Sequence, residues 1–462
     1  MSIPDFYAPK TQDEVKILPL TPAQKGLWML DQQPTNGHFN TISTTIIIKK
    51  PLDTYALQSS FDVLIQRHAA LRTIFRGNDD PPQQVILPQV HIPLPVIDLR
   101  TQVGQQREAA VQRLLAEEAL QPFDLAQGPL VRACVLWLDA AEYMLLLSTH
   151  RMVCDRWSVG ICVCEFASLY EAFASDQPSP LLEVSLSYTD FVRQQQAWLQ
   201  GKPAAEQLSY WEQLLTDRPE GLALPITRRS LQASIPRSAK YDLVLSDTLC
   251  TALQLLSQQE NVPLEVVLVA ALQAVLYRYS GQGDMQIGIG ATGRVQTEHE
   301  TVPGLFENML VLRTGLSDDL PFRILLEQVH TTLQHMRAHQ ELPFAYLVEK
   351  LHSTHPFFQV LFTLLPPLPA LPSGWTIAHM DGGAGALFAD IHLLVEAREE
   401  ELCIQFAYRS DLFAETTIAR MAGHWQTLLE GVLVAPETSL ASLPLLTEQE
   451  RHQLLVAWNE PQ

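Results

Sequence analysis

The residues best suited to chemistry lie in one short stretch of the chain, residues 148–158. It contains His150, Arg151, Asp155 and Arg156, which offer one imidazole, one carboxylate and two guanidinium groups. An imidazole exchanges a proton near neutral pH, a carboxylate accepts hydrogen bonds, and a guanidinium stays protonated and only donates them. On residue types alone, a structural ion pair and a functional site are equally well supported.

The surrounding pattern places this stretch between an apolar strand and an apolar helix. Two strands are predicted at 130–138 and 143–149, and a buried helix is predicted at 157–174. Burying a charged side chain between core segments costs free energy unless the charge is paired or the residue has a functional role. The junction is therefore the first candidate for a functional site.

The rest of the chain alternates between helical and strand patterns. Helical spacing of apolar residues occurs at 22–31, 53–68, 106–120, 188–199, 208–215, 247–258, 263–279, 321–339 and 416–433. Strand patterns occur at 41–48, 285–290, 391–396 and 402–408, and a rigid Pro-rich loop is expected at 364–373. This alternation predicts an α/β protein with mixed sheets that carry helices, in two lobes that meet near residues 176–180.

Composition excludes several classes of protein. The 462 residues are 47% hydrophobic and 18% charged, which is typical of a globular chain with two to three domains of about 150 residues each. With 31 Lys and Arg against 51 Asp and Glu, the net charge of −20 argues against nucleic acid or an anionic membrane as a partner. No apolar run reaches the roughly 18 residues of a membrane span, and no export signal precedes residue 14. Six scattered cysteines fit no zinc spacing, so we expect reduced thiols, no metal and a cytoplasmic location.

Three glycines match the spacing of a dinucleotide-binding loop. Gly288, Gly290 and Gly293 follow a predicted strand, but such a site needs a helix to begin there. The chain continues instead through Arg294 to Pro303, which interrupts any helix. The pattern therefore favours a turn with a close backbone approach over a cofactor site.

Residues along nearly the whole chain resemble, in order, the motifs of nonribosomal peptide synthetase condensation domains, in the chloramphenicol-acetyltransferase-like superfamily. The first two motifs and the stretch before the active strand are matched by Thr21, Ala23, Gln24, Leu27, Trp28; Arg67, His68, Leu71, Arg72, Thr73, Phe75; and Pro122, Phe123, Asp124, Leu125, Gly128, Pro129, Leu130. The later motifs are matched by Tyr188, Asp190; Arg294, Glu298, Gly304, Phe306, Asn308, Arg313; His339, Gln340, Leu342, Pro343, Phe344; and Phe358, Gln359, Val360, Phe362.

The resemblance implies a fold of α+β two-layer sandwiches. Two acetyltransferase-like lobes would form a V-shaped pseudo-dimer around a central tunnel. The expected division is an N-terminal tail at 1–13, lobes at 14–178 and 179–442, and the start of a linker to an adenylation domain at 443–462. Within that last stretch, Leu443, Pro444, Leu445, Leu446, Trp458 and Asn459 resemble the linker.

The same resemblance implies the substrates and partners. Peptidyl or acyl carrier proteins would insert phosphopantetheine arms as substrates, with no cofactor bound by the domain itself. An adenylation domain would follow in the chain. Because Met1 lies shortly before the first motif, the domain is expected to head its subunit, with the donor supplied by a separate upstream synthetase subunit.

The central motif departs from the family pattern of two histidines, three variable residues, aspartate and glycine. Arg151 stands in place of the second histidine, the residue assigned to catalysis, and Arg156 stands in place of the glycine. A guanidinium cannot serve as a general base near neutral pH because its pKa is above about 12. Three further motif positions depart from the usual residues, namely Gly26 for arginine, Ala69 for glutamate and Gly293 for asparagine.

The retained residues carry roles implied by the resemblance. His150 matches the first, chiefly structural histidine, and Asp155 matches the aspartate that forms an ion pair with Arg294 and joins one lobe to the other. Arg156, Trp157 and Ser158 would lie beside the tunnel, where a long cation would narrow it.

Two functions follow from these departures. The first is a condensation-like domain that has lost or altered amide-bond formation and acts as a scaffold or as a recruitment platform for a tailoring enzyme. Its histidine–arginine motif also resembles the recruitment domains of glycopeptide synthetases, although the adenylation-type linker does not fit their position. The second is an active condensation domain in which Arg151 stabilises the tetrahedral intermediate or binds a carboxylate. A free-standing acyltransferase that uses a coenzyme A thioester is a third, which the linker disfavours.

Overall fold

The computed structural model describes residues 15–32, 40–77, 81–219, 221–226, 237–352, 356–365, 367, 369–380, 389–397 and 401–453. The chain divides into two compact units. The first unit comprises Met1–Gly201, Arg294–Phe306 and Leu368–Gly383, and the second comprises Lys202–Gly293, Glu307–Pro367 and Ala384–Gln462. The predicted tail at 1–13, and Trp458 and Asn459 of the predicted linker, lie outside the described residues.

The first unit is a mixed α/β structure. Its strands are β1 (Lys16–Pro19), β2 (Thr41–Ile48), β3 (Thr73–Arg76), β4 (Gln83–Ile86), β5 (Val96–Asp98), β6 (Val131–Asp139), β7 (Glu142–His150) and β12 (Trp375–Met380). Its helices are α1 (Pro22–Asp31), α2 (Thr54–Arg67), α3 (Gln105–Leu120), α4 (Arg156–Phe173) and α5 (Tyr188–Leu199). Within the described ranges, the strands form one sheet of order β1-β4-β3 and a larger one of order β12-β2-β7-β6-β5.

The second unit is built around one sheet of order β10-β9-β11-β13-β14-β8. Its strands are β8 (Ser238–Leu245), β9 (Asp284–Ala291), β10 (Asn308–Gly315), β11 (Val360–Leu365), β13 (Ile391–Ala397) and β14 (Leu402–Arg409). Its helices are α6 (Lys202–Leu215), α7 (Asp247–Gln259), α8 (Leu264–Ser280), α9 (Phe322–Arg337), α10 (Phe344–Leu351), α11 (Glu415–Val434) and α12 (Glu448–His452). The predicted mixed α/β fold class is confirmed.

Helix caps explain why several helices begin where the sequence pattern predicts. Thr21 and Gln24 form a reciprocal capping box at the start of α1, and Ser187 and Asp190 form another at the start of α5. Asp155 caps α4 by accepting a hydrogen bond from the Ser158 N–H at 2.8 Å. Because β7 ends at His150 and α4 begins at Arg156, Arg151 and Asp155 lie on the turn between them, and Trp157 and Ser158 lie in the first turn of α4.

The helix α4 is held in the first unit by buried contacts on its far side. It packs against α2, with Phe61 and Phe166 in edge contact at 5.7 Å between ring centroids. Glu165 of α4 lies 2.5 Å from the ring of His68 and 3.2 Å from Nε of Arg67, both residues of the second motif. The second motif therefore fixes the helix that follows the candidate site.

The glycines of the apparent dinucleotide pattern serve packing. Gly288 and Gly290 lie inside β9, where a Cβ at Gly288 would come within 2.6 Å of the Phe358 ring and one at Gly290 would overlap the Thr363 side chain. Gly293 has a φ of +67°, a conformation that other residues rarely adopt. These are close backbone approaches, as the sequence pattern favours, and no helix starts at this point.

Replacing Gly288 by alanine is expected to destabilise the second unit by about 1–3 kcal/mol, because the added methyl must displace the Phe358 ring. Chemical denaturation of the single variant measures this loss. Gly315→Ala is the matched control, since a Cβ at that strand position meets nothing within 4 Å. Equal stability of the two variants would contradict the packing role of Gly288.

The first unit extends past the predicted lobe boundary near residue 178. It includes α5, whose Tyr188 donates a hydrogen bond to the Leu305 carbonyl at 3.0 Å, and whose Phe191 packs against Phe306 at 4.3 Å between centroids. It also includes the segments 294–306 and 368–383, which are separated from it in sequence. Local patterning does not reveal such long-range assignments.

Residues 443–453 of the predicted linker pack on the second unit. A Cβ at Gly431 of α11 would overlap the Pro444 ring, so the glycine makes room for the segment. His424 is also on α11, and its Nε2 lies 2.8 Å from Oε2 of Glu450. The same carboxylate oxygen accepts a hydrogen bond from the Thr447 N–H at 3.0 Å. The described part of this segment is therefore anchored along one helix.

Three further expectations can be compared with the described residues. All six cysteines are free thiols. A hydrogen bond with Cys154, together with burial, raises the pKa of Cys162, so these two cysteines are neighbours rather than isolated. No cluster of potential metal ligands occurs within the part of the chain that the structure describes. No single helix in these ranges has the length and apolar character to cross a membrane. Among the described helices, only α7 and α8 taken together reach that length and apolar character, and the chain bends by 104° between them.

Candidate functional site

The turn after β7 is fixed by backbone hydrogen bonds on both sides. The His150 N–H donates to the Leu130 carbonyl at 3.0 Å, and the Arg151 N–H donates to the Asn40 carbonyl at 2.7 Å. The Val153 and Cys154 N–H groups both donate to the His150 carbonyl, at 3.0 and 3.2 Å. The backbone that carries Arg151 is therefore held in one conformation.

His150 is a buried structural residue of this turn. Its side chain is 1% exposed, and its Nδ1 accepts a hydrogen bond from the Met152 N–H at 3.3 Å. This contact leaves the proton of a neutral ring on Nε2, which faces Oδ1 of Asp31 at 3.5 Å. The ring also meets Phe123 edge-on at 5.9 Å between centroids.

The first motif supports the same turn from the opposite side. Gln24 is buried, and its Nε2 donates to the Met152 carbonyl at 3.1 Å. Its Oε1 accepts from the Thr21 N–H at 3.0 Å, which ties the turn to the start of α1. Residues more than 100 positions apart thus fix the backbone on each side of Arg151.

Asp155 and Arg294 form a buried, two-pronged ion pair. Arg294 Nη1 lies 2.7 Å from Asp155 Oδ2, and Nη2 lies 3.1 Å from Oδ1, with the two side chains 1% and 0% exposed. Burial by itself raises the pKa of Asp155, but the charge of Arg294 and hydrogen bonds from Arg294, Ser158 and the Phe306 N–H outweigh it, so the pKa lies below its usual value. The carboxylate is charged at neutral pH.

This ion pair lies within the first unit, because segment 294–306 belongs to that unit. The pair fastens a distant segment of the chain to the N-terminus of α4. The same segment accepts a backbone hydrogen bond there, from the Asp155 N–H to the Gly304 carbonyl at 3.1 Å. That the pair joins one acetyltransferase-like lobe to the other stays a prediction.

Ser158 belongs to this same buried cluster. Its hydroxyl accepts from Arg294 Nη2 at 2.8 Å and from the Gly304 N–H at 2.9 Å. Its single hydrogen is accepted by Asp155 Oδ1 at 2.6 Å or by the Gly304 carbonyl at 2.8 Å. Ser158 is 0% exposed, so within the first unit it acts as a link between α4 and segment 294–306.

The two other residues expected beside a tunnel have different surroundings. Arg156 is buried, and its Nη1 donates to the Met380 carbonyl at 2.5 Å. Trp157 is half-buried, and its Nε1 donates to the Glu300 carbonyl at 2.9 Å. A place beside a tunnel stays a prediction for Arg156, Trp157 and Ser158.

Arg151 is half-buried, as Trp157 is. It lies next to His150 on the fixed turn, four residues before the Asp155 cluster. The structure thus brings Asp155, Ser158 and Arg294 into direct contact and places His150 and Arg151 on the adjoining turn. An arginine there supplies a hydrogen-bond donor with permanent positive charge and no acceptor.

His299 is a buried residue near this cluster that sequence reasoning missed. Its ring meets Phe191 and Phe306 at 5.2 and 5.4 Å between centroids, and its two ring nitrogens make no hydrogen bond to the described residues. Burial, reinforced by the charge of Arg294, lowers the pKa of His299. The aromatic neighbours explain why a neutral ring is preferred.

This arrangement predicts acid sensitivity of the first unit. A histidine whose pKa is lowered in the folded state binds more protons in the unfolded state. Its contribution to the free energy of unfolding therefore declines as the pH falls below about 6.5. His299→Phe, which keeps an aromatic ring, is expected to remove part of the loss of stability between pH 6.5 and pH 5. Urea titrations across this range measure it, with His379→Phe, an exposed histidine of the same unit, as the control. An unchanged pH profile in His299→Phe would contradict the assignment.

Comparison with known proteins shows the family. The family model of the condensation domain matches residues 14–455, so the chain belongs to the condensation domain family. One of the linear gramicidin synthase proteins from Brevibacillus parabrevis is 39% identical over 452 residues, which cover 96% of this chain and 9% of that protein. Two further proteins of the same synthase are 38% and 37% identical, and the chain spans 6% and 9% of their lengths.

Solved structures show the same fold. The X-domain from teicoplanin biosynthesis superposes with a TM-score of 0.81 at 24% identity, covering 93% of this chain and 97% of that one. The first condensation domain of the calcium-dependent antibiotic synthetase superposes with a TM-score of 0.81 at 20% identity, covering 94% and 99%. The resemblance drawn from the motifs is confirmed, and the chain has the condensation-domain fold.

Some site residues carried a signal in the sequence and others did not. Asp155 followed three residues later by Ser158, before an apolar run, is a helix-cap pattern that points to their contact. Asp31, Asn40 and Met380 reach the site only through tertiary contacts, and no local pattern marks them. Their roles become visible only in the structure.

Proposed function

We propose that this chain is a condensation-family domain that engages carrier-tethered substrates but no longer carries out ordinary amide-bond formation. It acts as a scaffold, or as a recruitment platform for a tailoring enzyme. The observation that carries the proposal is Arg151 at the position of the second motif histidine, on a turn that is otherwise held in place.

The chemistry of the guanidinium supports the loss of catalysis. Amide formation transfers a proton away from the attacking amine, and general-base assistance contributes about 10²- to 10⁴-fold to such steps. A guanidinium with a pKa above about 12 has no lone pair with which to accept that proton. Arg151 therefore removes the base while leaving the supporting structure intact.

The retained structure supports a scaffold role. His150, Gln24, Asp155, Ser158 and Arg294 keep the contacts that position the turn and the helix. These contacts hold the turn and the start of α4 in the form that a binding platform would present. The proposed partners are carrier proteins with phosphopantetheine arms, an adjacent adenylation domain, and an upstream synthetase protein or tailoring enzyme. The proposed location is the cytoplasm, with no bound cofactor.

The second candidate is an active condensation domain with altered chemistry. Arg151 is half-buried rather than buried, so part of its surface is open to solvent. There it would donate hydrogen bonds to the oxyanion of the tetrahedral intermediate or to a carboxylate on the donor. The amine would then react without a strong base, because proximity alone contributes several kcal/mol.

Reconstitution separates the two functions. An alanyl-loaded donor carrier and a glycyl-loaded acceptor carrier are mixed with the chain, and the carriers are analysed by mass spectrometry for a dipeptidyl thioester. A condensation domain with the two-histidine motif is run with the same carriers as the positive control. We expect carrier binding, measured by fluorescence anisotropy, without dipeptide. Dipeptide formation at the rate of the control would overturn the proposal.

A further inference from the structure

One face of α4 is occupied by the distant segment 369–380. A Cβ added at Gly160 would lie 3.6 Å from the Pro369 ring, so the ring lies directly over this position of the helix. One turn further on, Cys164 Sγ lies 3.9 Å from the Ala370 carbonyl. Since positions four apart share a helix face, Gly160 and Cys164 form part of a continuous stripe.

The same stripe continues towards both ends of α4. Near the C-terminus, Glu171 accepts a hydrogen bond from Trp375 Nε1 at 2.8 Å, and Lys50 forms an ion pair with the same carboxylate. At the N-terminus, Arg156 donates to the Met380 carbonyl. The two ends of β12, Trp375 and Met380, are thus attached to opposite ends of one helix.

The Met380 end of β12 is its weaker end. The strand lies at the edge of its sheet, and its pairing with β2 shifts register between Ile377 and His379. Within the described residues, pairing resumes at His379 and Met380. A short paired stretch beyond a bulge, at a sheet edge, has few contacts that resist local opening.

Arg156 is an unusual residue for its position. It is 4% exposed and is the first residue of α4, where the helix dipole disfavours a cation. A buried guanidinium at such a place has a cost that compensating hydrogen bonds must offset. One such hydrogen bond is donated to the carbonyl of Met380, which is 224 positions away in the sequence.

We propose that Arg156 is a positioning residue that holds the end of β12 on the N-terminus of α4, beside the turn that carries Arg151. The segment 376–380 is thereby prevented from opening away from the sheet. This restraint goes beyond the proposed function, and it stands whether or not the chain forms amide bonds.

Hydrogen–deuterium exchange on the full chain tests the restraint without any substrate. In Arg156→Gly and Arg156→Met, the amides of 376–380 are expected to exchange about 10- to 100-fold faster, the range for losing a charged hydrogen bond. Arg156→Lys, which keeps a cationic donor, is expected to restore part of the protection. Arg132→Met is the matched control, because Arg132 also donates to backbone carbonyls, those of Gln121 and Pro122, elsewhere in the first unit.

The internal reference is the pairing of β2 with β7, which these variants are expected to leave unchanged. Unchanged exchange at 376–380 in both Arg156→Gly and Arg156→Met would overturn the proposal. Faster exchange of equal size in β2, β7 and β12 would also overturn it, because Arg156 would then stabilise the unit as a whole. Neither result bears on the reconstitution assay, so the two proposals fail separately.

Discussion

The double variant Arg151→His, Arg156→Gly is expected to form dipeptidyl thioester at least about 100-fold faster than the unmodified chain. The first change returns a side chain that accepts a proton near neutral pH, and general-base assistance of this kind contributes about 10²- to 10⁴-fold. The second removes the buried guanidinium that follows Asp155. Hydrogen bonds already fix the backbone of this turn, so the imidazole at position 151 would be attached to a backbone that needs no rearrangement.

The matched control is Arg151→Lys, Arg156→Gly. It makes the same second change, but at position 151 it keeps a cation that accepts no proton at neutral pH. The measurement is the single-turnover rate between loaded donor and acceptor carriers, together with carrier affinity. A gain of equal size in both double variants would show that Arg156, and not the missing base, limits the reaction. No gain in either, with carrier binding intact, would show that the loss lies elsewhere.

Replacing Arg294 by alanine is expected to reduce the free energy of unfolding of the first unit by about 3–5 kcal/mol. The substitution leaves the Asp155 carboxylate buried without the guanidinium that faces both of its oxygens. It also removes the bonds from Arg294 to Ser158 and to the Val302 carbonyl. Denaturant titration gives the total change, and hydrogen exchange assigns it to the unit.

The second unit contains the control. Arg313 forms a similar two-pronged pair with Asp284, at 2.9 and 2.6 Å, but the two side chains are 21% and 43% exposed. Arg313 also donates to the carbonyls of Leu214, Thr216 and Asp217, so the control variant is Asp284→Ala, which removes the ion pair and leaves those three bonds in place. Because water screens this pair, its loss should cost at most about 1 kcal/mol. Similar losses in the two variants would contradict the special role assigned to the buried pair. Acid adds a second check, since the lowered pKa of Asp155 means that its contribution disappears as the pH falls below about 4.

Local patterns predicted the elements that carry their own signals. The helices α1 and α5 and the strand β2 begin and end at the predicted residues, because caps and apolar spacing mark them. The strands β1, β3, β4, β5, β8, β10, β11 and β12 were not predicted. Of these, β12 pairs with β2, more than 300 positions away, so its partner is invisible to any local window.

The candidate site was predictable to a similar extent. The crowding of His150, Arg151 and Asp155 at a strand–helix junction marked the place, and the motif order supplied Arg294 as a partner. Which atoms meet could not be read from the sequence, since the ion pair joins positions 139 apart. The motif order also gave no sign that Ser158 contacts Asp155, Arg294 and Gly304, and its place beside a tunnel stays a prediction.

The discontinuous make-up of the first unit has a consequence for its biosynthesis. When the chain has emerged from the ribosome only as far as Gly201, the five-stranded sheet of the first unit lacks its edge strand β12. Asp155 also lacks its ion-pair partner, because Arg294 has not yet been synthesised. Until about 180 further residues have emerged, the backbone edge of β2 that later pairs with β12 stays exposed and can pair with strands of other nascent chains. Chaperones that shield β-strand edges during translation should therefore raise the yield of this domain more than agents that act on the finished polypeptide.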